Sequence, residues 1–507
     1  VVESPAYKDG LNLWNHQKHF IKMAFEDHVY QGGARYILAD EVGLGKTTQL
    51  ALIAELIALN DDKPVLIIVP KPLVEQWQDE LYSMWGIPSA AWTSKGWLLE
   101  DGTQDQDHDI GNAPRKIAII SHGMVVHSGS DDDNSPSSKL LRNEYAAVIV
   151  DEAHKARVKE PTDPYSATPN NLMAFLNKIS IKTKTMILAT ATPIQLDTAE
   201  IWHLLYALAG GDACKDESGN WKANDDRPFV CKKVLGEITS RWLREPKEAV
   251  DIITGHYPDG WNNREAWNWI RNPLPPASES PLIRELRMHL GLRENEVGIA
   301  GSNNRNISYD NLEPIVKNLV DQLIKEGFFE NYNPFIRCIV RRRREMLENT
   351  TDPTTGKPYL TQINVTFVEG QEQGLYLTPP MAEAYQKAID FTNILRGQGA
   401  KGFYRVLLLR RLGSSIKAGL NSAERIYRKR VISSEMLSET EQEDIEDFEE
   451  LEKRTSGFQL QWDEIRLLED IISLLRNQVD NDPKYAKIRE LLSLRDWEER
   501  GCLIFSE

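Results

Sequence analysis

The stretch Asp40–Thr48, DEVGLGKTT, decides how this sequence is interpreted. It follows an apolar run, YILA (36–39), and precedes QLALIAELIALN (49–60), whose apolar residues recur at helical spacing. The end of the stretch, GKT, fits the phosphate-loop pattern G-x-x-x-x-G-K-[ST], but the first glycine of that pattern falls on Asp40. The stretch alone therefore leaves three interpretations open: an altered nucleotide site, a nucleotide site of another type, or a glycine-rich turn without a ligand.

The residue types in this loop favour a nucleotide. A tight turn ahead of a helix directs backbone N–H groups at an anion, and the helix dipole adds to the attraction. Gly43 and Gly45 allow the backbone to approach phosphates closely, Lys46 can reach the β- and γ-phosphates, and Thr47 can offer a hydroxyl to Mg²⁺. We therefore predict an ATP site with Mg²⁺ that includes Thr48 as a nucleotide-binding residue, against the alternative of a turn without a ligand.

Several apolar runs predict a parallel β-sheet around this loop. They do not alternate with polar residues, which is typical of strands that helices cover on both faces. The runs are YILA (36–39), VLIIV (65–69), KIAII (116–120), AAVIV (146–150) and TMILA (185–189). Helical patterns lie between some of them, so an α/β fold is expected.

An acidic pair follows the fourth of these runs. A magnesium-nucleotide enzyme needs carboxylates at a strand end, so we predict that Asp151 holds the metal and that Glu152 polarises the attacking water. Beyond the next run lies LATATPIQ (188–195), in which Thr190 and Thr192 are predicted to couple this site to a second one, together with His154. The plain alternatives are two solvated acids and a threonine-rich turn.

Bulk properties restrict the class of protein. A chain of 507 residues is too long for one core, and its formal charge of −16 by itself argues against a nucleic-acid partner. The sequence contains neither a run of 18 apolar residues nor a signal-peptide pattern, so we expect no membrane association. Four cysteines without C-x-x-C spacing predict buried thiols and a cytoplasmic location.

The motifs taken together resemble those of the superfamily 2 helicase-like ATPases. DEVGLGKT, DEAH (151–154) and ATATP (189–193) are similar to motifs I, II and III, and in that superfamily D-E-x-G-x-G-K-T often replaces the usual loop. LWNHQ (13–17) resembles the segment whose glutamine, here Gln17, contacts adenine. LIIVPKPLVEQWQDEL (66–81) and AIISHGMV (118–125) resemble motifs Ia and Ib. The resemblance implies a RecA-like lobe of the P-loop NTPase type with helical insertions.

Within that superfamily the chain most resembles the Swi/Snf type, in particular its bacterial RapA-like branch. IVRRRREMLE (339–348) is similar to the arginine-rich segment that closes the first lobe, and the basic segment 409–430 resembles one found in bacterial members. DPKYAKIRELL (482–492) with CLIFSE (502–507) resembles the lead into a second RecA-like lobe. The resemblance implies an ATP hydrolase that translocates on double-stranded DNA, with further subunits as possible partners.

This resemblance also predicts that the chain is a fragment in which the second lobe is truncated. The arginines that the second lobe contributes to phosphoryl transfer would then lie outside these 507 residues. We expect the chain alone to bind Mg-ATP weakly, to hydrolyse it hardly at all and to show no DNA stimulation. The expected divisions are a first RecA-like lobe (1–210), a tryptophan-rich helical insertion (211–335), an arginine-rich return to the first lobe (336–378), a helical linker region (379–495) and the start of the second lobe (496–507).

The insertion and the charge runs give further predictions. The insertion resembles no family pattern. Most of its tryptophans are expected to be core residues, and not residues that stack on nucleic-acid bases. They are Trp221, Trp242, Trp261, Trp267 and Trp269. The four arginines Arg341, Arg342, Arg343 and Arg344 are candidates for DNA phosphate contact, against the alternative of a solvated face. Residues 435–452 contain ten acids and no base, and we expect a surface linker there.

Two other functions stay open. One is a strand-separating helicase on DNA or RNA, and the other is a regulatory module that binds ATP without turnover. The complete set of Lys46, Asp151 and Glu152 argues against the second. The pathway is not determined by the sequence: transcription-complex recycling, repair and antiviral defence are all compatible with it, and defence is suggested only by the unusual insertion.

Overall fold

The computed structural model describes most of the chain in two compact units, Val1–Thr361 and Gln362–Glu507. The described residues are 13–105, 109–126, 134–159, 168–191, 199–223, 226–235, 242, 246–271, 274–275, 277, 279–292, 308–351, 356, 358–360, 377–395, 401–429, 431–432 and 458–494. Thr192, the acidic stretch 435–452 and the expected start of a second lobe at 496–507 lie outside them.

A mostly parallel β-sheet forms the centre of the first unit. Its strands, with a separate short pair β7–β8, are β1 Arg35–Leu38, β2 Val65–Val69, β3 Ala90–Thr93, β4 Gly96–Leu99, β5 Ile117–Ser121, β6 Tyr145–Val150, β7 Val158–Lys159, β8 Thr168–Pro169, β9 Thr183–Ala189 and β10 Ile339–Val340. Among the described residues the sheet has eight strands in the order β10-β1-β9-β6-β2-β5-β3-β4, and only β4 runs antiparallel to its neighbour. The parallel strands predicted from the apolar runs are confirmed.

Helices surround this sheet. In the first unit they are α1 Asn15–Tyr30, α2 Lys46–Asn60, α3 Val74–Trp85, α4 Gly123–Val126, α5 Pro136–Leu140, α6 Asn171–Ile179, α7 Ala199–Leu208, α8 Phe229–Leu235, α9 Pro246–Ile253, α10 Asn263–Ile270, α11 Pro281–His289, α12 Pro314–Lys325, α13 Phe328–Asn331 and α14 Arg344–Asn349. Among the described residues, every helix of the chain is too short or too polar to cross a lipid bilayer.

Successive strand residues pack into two different cores, because side chains alternate between the faces of a sheet. Val65, Ile67 and Val69 of β2 pack with α1, α2 and α3. Leu66 and Ile68 point to the opposite face, where α6, α7 and the helices after residue 211 cover the sheet. Both faces are buried, which explains the absence of polar alternation in the strands. The predicted α/β fold with a mostly parallel sheet is confirmed.

The tryptophans after residue 211 extend the second of these cores. Trp242, Trp267 and Trp269 are buried, and the Trp242 indole N–H donates to the carbonyl oxygen of Trp269 at 2.8 Å. Trp221 and Trp261 are partly buried against the same cluster. The prediction that most of these tryptophans are core residues is confirmed.

The second unit has a helical core of its own. Its elements are α15 Pro379–Ile394, α16 Lys401–Ser414, α17 Ile416–Lys429, α18 Trp462–Arg476 and α19 Pro483–Leu494, with a short antiparallel pair, β11 Val431–Ile432 and β12 Phe458–Gln459. Buried Phe391, Leu408, Ile416 and Leu468 from four of these helices meet in one cluster.

Candidate nucleotide-binding site

The sequence-predicted site residues lie at one edge of the sheet. Asp40 follows β1, Thr190 follows β9 and Asp151 follows β6, and these three strands are parallel neighbours. The carboxyl ends of parallel strands share an edge, which is where α/β proteins bind ligands. The fold therefore brings the loop, the acidic pair and Thr190 together, although Asp40 and Thr190 are 150 residues apart in the sequence.

The loop adopts a backbone that requires its glycines. Gly43 and Gly45 have φ of 83° and 73°, in the left-handed region that favours glycine. A Cβ atom at residue 45 would also collide with the Gln17 side-chain nitrogen. Helix α2 begins directly afterwards at Lys46, so its first turn, with Thr47 and Thr48 half-buried, faces the loop.

The Lys46 side chain donates hydrogen bonds to the backbone of the loop that precedes it. Its Nζ donates to the carbonyl oxygens of Asp40 at 2.8 Å and Glu41 at 3.4 Å. Burial lowers the pKa of Lys46, while the negative charges of Glu152, Asp151 and Asp40 act in the opposite direction. The cation thus lies in the field of the acidic pair, where it can balance the charge of bound phosphates.

The adjacent carboxyl groups of Asp151 and Glu152 have opposite tendencies. Asp151 is buried, and burial followed by repulsion from Glu152 raises its pKa to about 6. The pKa of Glu152 is lowered, mainly by a hydrogen bond from His154 and against the effect of burial. Glu152 therefore stays ionised and able to accept a proton, whereas a nearby cation would stabilise the ionised form of Asp151.

Glu152 also has an unusual backbone. Its φ is 52°, and among the described residues it is the only non-glycine residue with a positive φ. Its N–H donates to Oδ1 of Asp151 at 3.0 Å, which ties the two acids together. Strained backbone of this kind is concentrated at functional sites.

His154 connects this pair to the end of β9. Its Nδ1 lies 3.1 Å from Oε2 of Glu152 and 3.0 Å from the buried hydroxyl of Thr190. The Thr190 N–H donates to the carbonyl oxygen of Leu38 at the end of β1. A physical connection thus runs from Glu152 through His154 and Thr190 toward the phosphate loop, while Thr192 lies outside the described residues.

Gln17 is placed at the loop but already has partners. Its Oε1 accepts the Trp14 N–H at 2.9 Å, which caps α1, and its Nε2 donates to the carbonyl oxygen of Leu44 at 3.2 Å. His16 Nε2 lies 3.2 Å from the same carbonyl oxygen. The amide therefore holds the start of α1 against the phosphate loop.

The arginine run divides into two sets. Arg341 and Arg343 are exposed, whereas the Arg342 guanidinium points inward and pairs with the fully buried carboxylate of Asp40 at 3.1 Å. The N–H of Arg344 donates to the Glu41 carboxylate at 2.7 Å, and its Nε pairs with Glu348 at 2.7 Å. The structure thus engages two of the four arginines beside the nucleotide loop and leaves two facing solvent.

Two features of this site were not predicted from the sequence. The Asp40–Arg342 pair includes Gln49, which donates to Asp40 at 3.2 Å and accepts from Arg342 at 3.2 Å. His122 follows β5 at the same edge and contacts the backbone of Asp151 at 2.9 Å. A search for polar residues within two positions after each apolar run would have found His122, but no local signal identifies the partner of Asp40.

The donor set fits Mg²⁺ held jointly by protein and nucleotide. Thr47 and Asp151 supply hard oxygen atoms, which Mg²⁺ prefers, and a nearby cation would offset the burial and the repulsion from Glu152 that raise the pKa of Asp151. Among the described residues no group of three or more His, Cys, Asp or Glu side chains could hold a metal ion. Mg²⁺ commonly binds through one or two protein groups plus phosphates, so the remaining ligands would come from the nucleotide and water.

Comparisons with known proteins match part of this chain to one family. Residues 16–252 match the SNF2-related domain family. ATP-dependent helicase BRM of Arabidopsis thaliana is 27% identical over 266 residues, which are 50% of this chain and 11% of that protein. Helicase SWR1 of Eremothecium gossypii is 32% identical over 192 residues, covering 36% of this chain and 11% of its own length.

A bacterial protein and a solved structure are also similar. RNA polymerase-associated protein RapA of Actinobacillus pleuropneumoniae is 28% identical over 190 residues, or 36% of this chain and 18% of that protein. The Sulfolobus solfataricus SWI2/SNF2 ATPase core in complex with dsDNA aligns with 82% of this chain and 61% of its own at 15% identity, with a TM-score of 0.35. This chain spans less than a fifth of the length of BRM, SWR1 and RapA.

The sequence matches support the Swi/Snf superfamily. They include eukaryotic helicases and bacterial RapA alike, so they do not favour the RapA-like branch that the sequence suggested. Residues 16–252 are thus similar to the SNF2-related domain without a preference for one branch.

Proposed function

We propose that this chain carries the ATP site of a DNA-dependent ATPase that translocates on double-stranded DNA. One observation carries the proposal: Lys46, Asp151 and Glu152 meet at the carboxyl edge of one sheet, where the cation of Lys46 acts on the pKa of both carboxyl groups. A regulatory module without turnover would need the cation and an acidic group, but it would not need an ionised Glu152 held in a strained backbone.

Each residue has a distinct part in this proposal. Gly43, Gly45, Thr47 and Thr48 bind the phosphates through the loop and the first turn of α2, and Lys46 balances the β/γ-phosphate charge. Thr47 and Asp151 hold Mg²⁺, which would stabilise the charge on the phosphates. Glu152 accepts a proton from the attacking water because its carboxyl group stays ionised at neutral pH.

Two substitutions test the ATP site in the full-length protein. Lys46→Ala should weaken nucleotide binding about 10- to 100-fold, because hydrogen bonds to charged groups contribute roughly 1.5–3 kcal/mol. Glu152→Gln should retain binding and reduce steady-state hydrolysis by roughly 100-fold or more, because the base is lost. The exposed Lys63, at the opposite edge of the sheet, provides the control Lys63→Ala.

The measurements are nucleotide affinity by calorimetry and phosphate release at saturating ATP. Wild-type affinity in Lys46→Ala would refute the role of that cation. Wild-type turnover in Glu152→Gln would refute the assignment of the base and with it the proposed enzyme.

Double-stranded DNA is the proposed partner, and the exposed arginines are the first candidates for phosphate contact. Arg341 and Arg343 project into solvent directly after β10, whereas Arg342 already has a buried carboxylate partner. The helicase relatives named above make a nucleic-acid substrate the best-supported one. Arg341→Ala/Arg343→Ala should weaken binding to all DNA sequences alike, and should reduce the slope of log K against log salt by up to about 2.

Salt-dependent binding is measured on duplex DNA, single-stranded DNA and RNA, with the folded state checked by circular dichroism. An unchanged salt slope on duplex DNA would show that these two arginines do not contact phosphates. ATP hydrolysis stimulated by single strands or RNA instead of duplex DNA would favour a strand-separating helicase.

A further inference from the structure

His122 is a buried histidine within AIISHGMV (118–125), a stretch whose resemblance to motif Ib gave this residue no role at the ATP site. It follows β5, is 1% exposed, and its own N–H donates to the carbonyl oxygen of Val69 at the end of β2. Its Nε2 lies 2.9 Å from the carbonyl oxygen of Asp151. A carbonyl oxygen only accepts hydrogen bonds, so Nε2 carries the hydrogen and donates it.

This hydrogen bond fixes the peptide group that joins the two catalytic acids. The Asp151 N–H donates to the carbonyl oxygen of Ile68, and the Asp151 carbonyl oxygen accepts from His122. The Glu152 N–H on the same peptide donates to Oδ1 of Asp151. The carbonyl oxygen and the N–H of the Asp151–Glu152 peptide group therefore both have hydrogen-bond partners. His122 helps to fix the orientation of this peptide plane, which precedes the left-handed backbone of Glu152.

Packing alone does not account for a histidine at this position. Among the described residues, the second ring nitrogen of His122, Nδ1, has no hydrogen-bond partner. A buried polar atom without a partner is unfavourable, so a leucine would fill this space at no greater cost to the core. What a leucine lacks is the donor to Asp151.

We propose that His122 is a positioning residue that orients the Asp151–Glu152 peptide and thereby aims the Glu152 carboxylate at the attacking water. The inference rests on the proposed ATPase function. His122 acts through the backbone, and it contacts neither the nucleotide phosphates nor the reacting water.

The experiment compares three substitutions of His122 in the full-length protein. His122→Leu removes the donor, and we expect kcat to fall about tenfold or more while the KM for ATP changes by less than about threefold. In His122→Gln the amide nitrogen is as many bonds from the backbone as Nε2, so this variant should recover much of kcat. His122→Asn places its amide nitrogen where Nδ1 lies and should not.

His28 offers a matched control because it is also a fully buried histidine, with Nδ1 2.9 Å from the Thr185 hydroxyl and no contact with the acidic pair. His28→Leu should leave kcat at the wild-type value. A double-mutant cycle with Glu152→Gln, measured by single-turnover hydrolysis, distinguishes a role through Glu152 from general damage to the core. Because His122 acts through Glu152, His122→Leu should slow the Glu152→Gln enzyme by less than about twofold.

Four results would overturn the inference: wild-type kcat in His122→Leu, an equal loss in His28→Leu, equal activities in His122→Gln and His122→Asn, or the same fold-loss in the Glu152→Gln background as in the wild type. If His122→Leu does not fold, the comparison of Gln with Asn still decides. Absence of ATP hydrolysis in the wild type, or its persistence in Glu152→Gln, would instead refute the proposed function.

Discussion

At the scale of single residues, the site contains two adjacent carboxyl groups whose pKa values are shifted in opposite directions. Asp151 and Glu152 are neighbours in sequence, yet burial raises the pKa of one and a histidine lowers the pKa of the other. Two carboxyl groups whose pKa values differ in this way can take different roles, because one is available to a metal ion and the other to a proton. The separation arises from exposure and partners, not from residue type.

Buried histidines make stability depend on pH, and His28 gives the clearest case. Burial, and then the nearby Lys184, lower the pKa of His28 from its usual 6.5 to about 4. As the pH falls below 6.5, the unfolded state binds a proton that the folded state refuses, so stability is lost between about pH 6.5 and pH 4. We expect this residue alone to lower the free energy of unfolding by roughly 2 kcal/mol between pH 7 and pH 5.

The measurement is urea unfolding at pH 7 and pH 5 for wild type and His28→Gln. The raised pKa of Asp151 acts in the opposite direction and His122 in the same one, so the difference between the two proteins isolates His28. His19, exposed on the same helix, supplies the control His19→Gln. An identical pH dependence in wild type and His28→Gln would contradict the prediction.

At the scale of secondary-structure elements, β10 supports the phosphate loop from a distant part of the sequence. It adds to the edge of β1, and the Ala39 N–H beyond β1 donates to the carbonyl oxygen of Val340 at 2.7 Å. The Glu41 N–H donates to the carbonyl oxygen of Arg342 at 3.1 Å. The loop is thus held by backbone hydrogen bonds and by the Asp40–Arg342 pair at once.

Removing one member of that pair should be costly. Arg342→Ala leaves the carboxylate of Asp40, which is fully buried, without its cation, and losing one partner of a buried ion pair costs about 3–5 kcal/mol. The exposed neighbours provide controls, because Arg341→Ala and Arg343→Ala should each change stability by less than about 0.5 kcal/mol.

Thermal and urea unfolding measure these changes. The double variant Asp40→Ala/Arg342→Ala should lose at least about 1 kcal/mol less than the sum of the two single variants, because no charge is left buried alone. Strict additivity would show that the pair is not coupled, and equal losses in all three arginine variants would contradict the division of the run.

At the scale of the whole molecule, the described residues of the candidate ATP site lie within the first unit. Its two cores cover both faces of the sheet, while the helices of the second unit form a separate cluster. We therefore predict that residues 1–361 fold independently and bind Mg-ATP with the affinity of the whole chain, within about threefold. Calorimetric titration of the fragment and of all 507 residues measures this. Failure of the fragment to fold, or a much weaker affinity, would show that the second unit contributes to the site.

Sequence patterns identified the parts of the site that are formed by residues close together along the chain. The glycine–lysine loop, the acidic pair after AAVIV and the buried strands were recognisable because a parallel strand needs continuous apolar residues and a phosphate loop needs glycines at fixed spacing. VLIIV matches β2 residue for residue, and the other predicted strands end within two residues of the observed ones. Strands β3 and β4 were not predicted because AAWT and GWLL pair as a hairpin at the sheet edge and each is buried over only two residues, so neither gives a continuous apolar run.

The sequence by itself thus determined the strand-end motifs and the α/β class, since both follow from residues close together along the chain. Only the tertiary structure decided the role of Arg342, which lies 302 residues beyond Asp40 and differs from its neighbours in the run only by the direction of its side chain. It also decided the contact between His122 and Asp151, because β5 and β6 flank β2 as parallel strands and their carboxyl ends lie at the same edge of the sheet. Burial of a charge depends on which distant partner folding brings to it, and no local pattern contains that partner.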